Sequence, residues 1–240
     1  MDLNILSKRV VIAAFTVLFI GCNNDDEISQ MRLTEENSND IFAKQGETKP
    51  FNAANPYDVA GELHNQILEL YFEQEYLPEN IEDVDEEIHA LILEKTGVSD
   101  SLYLDLSIIE DILAVPYSSF LEIVDNPALS SYGQSGFIDF VDSLLLVKSA
   151  PYEDLYDFIT QYESDVLLDT LLSTNEKRIF LTTTSIIRYS IYFEKRRKDK
   201  DWESSVGNIA AAMSGAYEDS ISAVTLALVA GLSKDIVTVP

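Results

Sequence analysis

Positive charge is scarce in this chain: 16 Lys and Arg stand against 42 Asp and Glu, a formal net charge of −26 over 240 residues. That deficit excludes nucleic-acid binding, which needs a basic footprint to replace the counterions of the phosphates. An acidic excess of this size keeps a protein soluble through self-repulsion. Cysteine is nearly absent too. Cys22 is the single one, so a framework of paired disulfides is ruled out. Strands leave no trace: alternating apolar and polar residues flanked by hairpin dipeptides such as Asn-Gly do not occur. The hydrolase and phosphate signatures are missing as well. "GQSG", Gly133 to Gly136, is one residue short of a Gly-x-Ser-x-Gly elbow, and no glycine-rich phosphate loop or His-Glu-x-x-His segment is present.

What the chain does have begins with its first 27 residues. Lys8 and Arg9 precede an apolar run from Val10 to Ile20. That run is too short to span a bilayer, which takes roughly 20 apolar residues, and it suits the core of a secretory signal. Phe19-Ile20-Gly21-Cys22 follows, then the acidic "NNDDE". The four residues resemble the lipobox of bacterial lipoproteins, with Phe19 where Leu is usual. The acidic run resembles the export signal of surface lipoproteins in the Bacteroidota. The resemblance implies removal of residues 1–21, acylation of the Cys22 thiol (palmitate among the chains) and an outer-membrane protein facing the exterior. From Cys22 to residue 54 the chain is polar and without period, as expected of a flexible acidic tether.

Residues 55–240 read as one all-α domain, an irregular multi-helix bundle. A chain that is 46% hydrophobic and of this length can bury a real core. Val59, Leu63, Ile67 and Leu70 form one helical stripe. Ile81, Val84, Ile88, Leu91 and Ile92 form another, with Asn80 as cap and Gly97 as stop. A third helix is expected from Ser99 or Asp100 to about Val115, and others near 117–125, 136–149, 152–172, 175–198, 203–215 and 217–232. Pro56-Tyr57, Pro116-Tyr117 and Pro151-Tyr152 mark helix starts, where a proline loses no hydrogen bond. The small, apolar stretch from Gly207 to Gly231 is interrupted by Glu218 and Asp219 and reads as a buried helix pair.

The distinctive motif is "NPYDVAGELHNQ", residues 55–66. Asn55, Pro56, Tyr57, Asp58, Gly61, His64 and Asn65 resemble a motif of uncharacterised Bacteroidota lipoproteins, a resemblance that implies no activity. Asn55 is expected as N-cap, Pro56 as first helical residue, and Asp58 as a charge complementing the dipole. Gly61 inside a helix costs about 1 kcal/mol relative to Ala, which a close-packed neighbouring helix would offset. Tyr57, Gly61, His64, Leu68 and Tyr71 share a face. His64 is then either a buried, hydrogen-bonded core residue or, with Asp58 and Asn65, a ligand-contacting group. Asn55, Tyr57, Asp58, Gly61, His64 and Asn65 are the candidate binding residues, and no catalytic set is assigned.

Other acidic patterns imitate metal sites. Glu86 and His89 have the Glu-x-x-His spacing of di-iron bundles, yet Gly61 stands where the second pair needs its glutamate. "DVDEEIHALILE" places Asp83, Asp85, Glu87 and Glu94 like calcium ligands, but Ile88 occupies the position of the turn glycine and continues the helical stripe. No metal and no cofactor are expected. "EKRRKDKD", residues 194–201, is the single basic cluster. It reads as a cationic helix end or as a contact for anionic lipid or an acidic partner. The expectation is a lipid-anchored surface protein that works by binding, its protein or small-molecule partner unspecified. A hydrolase using His64 as general base and an envelope-assembly role are the alternatives.

Overall fold

A computed structural model describes residues 48–74, 78–98, 106–197 and 206–237. The leader, Cys22 and most of the tether lie outside the described residues. Among those residues the fold is all-α, with nine helices and no strand. They are α1 Asp58–Phe72, α2 Ile81–Thr96, α3 Leu106–Ala114, α4 Pro116–Val124, α5 Ser131–Val147, α6 Tyr152–Leu168, α7 Thr174–Arg197, α8 Val206–Ala216 and α9 Ser220–Val237.

Local signals place several of these ends. In α2 the Asn80 side chain accepts from the Asp83 N–H, and Gly97 closes the helix at φ 69°, the left-handed conformation that glycine adopts freely. The five stripe residues of α2 are all buried. Pro116 opens α4 and Pro151 immediately precedes α6. Pro56 behaves differently. Helix α1 starts at Asp58 rather than at Pro56, and Tyr57, its N-cap, makes no side-chain cap. Asn55 Oδ1 accepts from the Tyr57 N–H at 2.8 Å, and the Asn55 backbone carbonyl from the Asp58 N–H at 3.2 Å, so a turn precedes the helix. Helix α5 starts five residues before the expected 136 because Ser130 caps it, its Oγ accepting from Gly133 N–H at 3.1 Å. The expected start near Ser99 falls outside the described residues.

Helices α7, α8 and α9 form the middle of the molecule. Helix α7 packs against α1, α6 and α8, while α9 packs against α8, α1, α2 and α3. The α8–α9 hairpin is the buried pair that the small residues suggested. A Cβ on Gly215 would lie 2.2 Å from the Ser222 carbonyl oxygen, so only glycine lets these two helices close. The same logic governs Gly61. A Cβ there would meet Tyr189 Cδ2 at 2.4 Å and Ser185 O at 2.5 Å, which is the close helix contact its place in α1 called for. This contact brings the motif against the middle of α7.

Candidate functional site

Helix α7 carries one charge in the fifteen residues from Ile179 to Phe193, Arg188. It is fully buried, and a guanidinium there needs anionic partners, because the desolvation of a lone charge is not recovered by packing. Two carboxylates supply them. Arg188 Nη2 donates to Asp58 Oδ1 at 2.5 Å and to Glu163 Oε1 at 3.1 Å, from α1 and α6 respectively. Burial pulls the Arg188 pKa down, but Glu163 and Asp58 outweigh it and hold the value above the ordinary one. The guanidinium carbon also lies 5.9 and 5.5 Å from the ring centroids of Tyr156 and Tyr189, within cation–π range.

Two carboxylates on one cation leave lone pairs to satisfy, and the motif's amides and neighbouring hydroxyls do this. Asn55 Nδ2 donates to Glu163 Oε1 at 3.0 Å and to the Leu181 carbonyl at 2.9 Å. Asn52 Nδ2 reaches Glu163 Oε2 at 2.6 Å, and Thr184 Oγ1 donates to Glu163 Oε1 at 3.0 Å. On the Asp58 side, Oδ2 accepts from the Asn52 N–H and the Tyr189 hydroxyl, each at 3.2 Å. Ser185 links the backbones: its Oγ donates to the Asp58 carbonyl at 2.9 Å and accepts from the Gly61 N–H at 3.1 Å. The result is a polar joint that fixes α1 across α6 and α7.

His64 belongs to the next turn of the same joint. Asn65 Nδ2 donates to the Tyr189 carbonyl at 3.0 Å, which orients the amide so that its Oδ1 faces His64 Nδ1 at 3.2 Å. Nδ1 then carries the proton, and Nε2 faces the Ser190 hydroxyl at 3.5 Å. Burial lowers the His64 pKa to about 4, opposed by the smaller effect of the Asn65 hydrogen bond. Ser190, His64 and Asn65 therefore stand in the order of nucleophile, base and orienting group. Ser190 is 2% exposed and His64 fully enclosed. General-base chemistry requires a substrate proton within hydrogen-bond reach, and a substrate has no approach to this histidine.

Of the six candidate residues, Asn55, Asp58, Gly61 and His64 are buried, while Tyr57 and Asn65 are half-buried. The structure does bring them together, with Asn52, Glu163, Ser185, Arg188 and Tyr189 as partners that the motif did not announce. Arg188, alone among the uncharged residues from Ile179 to Phe193, was the available signal for a buried ion pair. Nothing near Glu163 marks it, since it lies in an ordinary acidic helix. His89, the other histidine, sits on α2 with Nδ1 3.2 Å from Asp85 Oδ1. Among the described residues, no group of three or more His, Cys, Asp or Glu is placed to hold a metal ion. None of the described helices is long and apolar enough to cross a membrane. Comparison with protein-family models, with curated proteins and with solved structures finds no match.

Proposed function

We propose that the protein is a lipid-anchored protein of the bacterial outer membrane, held through acylated Cys22 and exposed at the cell surface, where its helical domain acts as a binding module. The observation that carries this reading is the sequence Lys8-Arg9, an apolar run, then Phe19-Ile20-Gly21-Cys22, with no other cysteine in the chain. The acidic surface and the polar stretch up to residue 54 suit a domain displayed in water at the end of a tether. Binding is favoured over catalysis because Ser190 and His64, the serine–histidine pair of the candidate motif, are enclosed, and the motif's polar atoms are engaged by α6 and α7.

The test is to express the full chain in a Bacteroidota host and follow it by membrane fractionation and mass. The native chain is expected in the outer-membrane fraction with an acylated Cys22 at its new N-terminus. Cys22→Ala is expected in the soluble or uncleaved pool. Unchanged retention of Cys22→Ala in the outer membrane would contradict the reading.

A further inference from the structure

We propose that the guanidinium of Arg188 and the hydroxyl of Tyr152 hold an enclosed water site at the contact of α6 and α7. The joint around Arg188 has more donors than acceptors. Arg188 carries N–H donors on Nε, Nη1 and Nη2, and those on Nη2 serve Asp58 and Glu163. Nε and Nη1 are buried and meet no hydrogen-bond partner among the described residues. The carboxylates, by contrast, are well supplied. Glu163 also accepts from Asn52, Asn55 and Thr184, and Asp58 from the Asn52 N–H and the Tyr189 hydroxyl. A buried donor that stays unmade forfeits its hydration without return.

Tyr152 brings one more such group. The residue is 7% exposed, and its hydroxyl is buried without a hydrogen-bond partner among the described residues. Tyr152 and Tyr156 stand one turn apart on α6, as Arg188 and Tyr192 do on α7. The Tyr152 ring lies 5.2 Å from the Tyr192 ring, and the Tyr156 ring lies 5.9 Å from the guanidinium carbon. The four residues therefore form a square, with Arg188 and Tyr152 on one diagonal. Tyr156 and Tyr189, the tyrosines whose rings meet the cation, spend their hydroxyls on the Phe51 carbonyl and on Asp58 Oδ2. Burial raises the Tyr152 pKa, and Arg188 is the strongest of the charges acting on it, pulling the other way.

The occupant of this site must accept hydrogen bonds, and charge selects the acceptor. Arg188 is already outnumbered by Asp58 and Glu163. A further anion would add a second uncompensated charge where neither water nor salt screens it. A neutral acceptor carries no such cost. Water accepts from Nε or Nη1 and donates to the Tyr152 oxygen, within the range of about two to four polar partners that enclosed waters have.

Tyr152→Phe distinguishes a hydrated hydroxyl from an unmade one by the sign of its effect. Loss of a hydroxyl that holds water should lower the folded-to-unfolded ratio of the complete chain about fivefold, the net worth of one hydrogen bond. Loss of an unmade hydroxyl should raise that ratio. Urea denaturation of the native and variant chains reads it. The occupant itself is read from a crystal structure of the complete chain, with a second crystal soaked in bromide. Expected is density within hydrogen-bond distance of the Tyr152 oxygen and of Arg188 Nε or Nη1, with no anomalous signal there after the soak. A bromide peak at that place overturns the assignment in favour of an anion. So does a guanidinium whose Nε and Nη1 meet protein oxygens with no density between, or a Tyr152→Phe chain at least as stable as the native one.

Discussion

Glycine at 61 and glycine at 136 occupy the same kind of position, a helix interior, and the structure gives them opposite meanings. Gly61 has Tyr189 and the Ser185 backbone inside the space of a Cβ, whereas nothing lies within 4 Å of a Cβ at Gly136. Gly61→Ala is therefore expected to cost about 1–3 kcal/mol, the range for overpacking a close contact. Gly136→Ala should instead stabilise by about 0.5–1 kcal/mol, as alanine does in an open helix. Urea denaturation of the two variants side by side checks both signs. Glu176 shows how hydrogen bonds can outweigh burial at a single residue. Burial raises its pKa, but the Ser130 hydroxyl at 2.6 Å and the Ser130 and Ser173 N–H groups, each at 2.8 Å, hold it down to about 2.

At the scale of the elements, the joint between α1, α6 and α7 is decided by which charges are removed together. Arg188→Met leaves Asp58 and Glu163 buried beside each other without a cation, and should cost about 3–5 kcal/mol or prevent folding. Replacing all three, as Asp58→Leu, Glu163→Met and Arg188→Met, removes the uncompensated charges and should recover much of that loss. Thermal unfolding of the single and triple variants measures the difference, and a triple variant no more stable than the single would argue against a charge-balanced joint. Much of the helix layout was legible in the chain because caps and stripes are local. Asn80, Gly97 and the stripe from Ile81 to Ile92 need only their own neighbours to be understood. The start of α1 differs from the expectation because Asn55 Oδ1 accepts from the Tyr57 N–H in a turn that precedes the helix, while its Nδ2 is held by Glu163, 108 residues away. A partner at that separation leaves no periodicity near Asn55, and a sequence shows only that such a partner is needed.

For the whole molecule, the pH dependence of stability follows from His64. Below about pH 6.5 an unfolded chain protonates this histidine, whereas the folded chain resists protonation until about pH 4. Stability contributed by the neutral ring is complete above pH 6.5 and is lost as the pH falls through that window, by roughly 3 kcal/mol in total. His64→Gln should flatten this part of the stability curve, whatever its own baseline cost. The view that the motif is architecture, and that partners are met on outer surfaces, turns on the same ring. The direct measurement is an NMR pH titration of the full chain, with His89→Gln to assign the remaining histidine. The account predicts that His64 stays neutral down to about pH 4 and does not respond to ligand extracts added above that pH. Titration near 6.5, with shifts on adding such extracts, would contradict it and return the motif to the role of an accessible site.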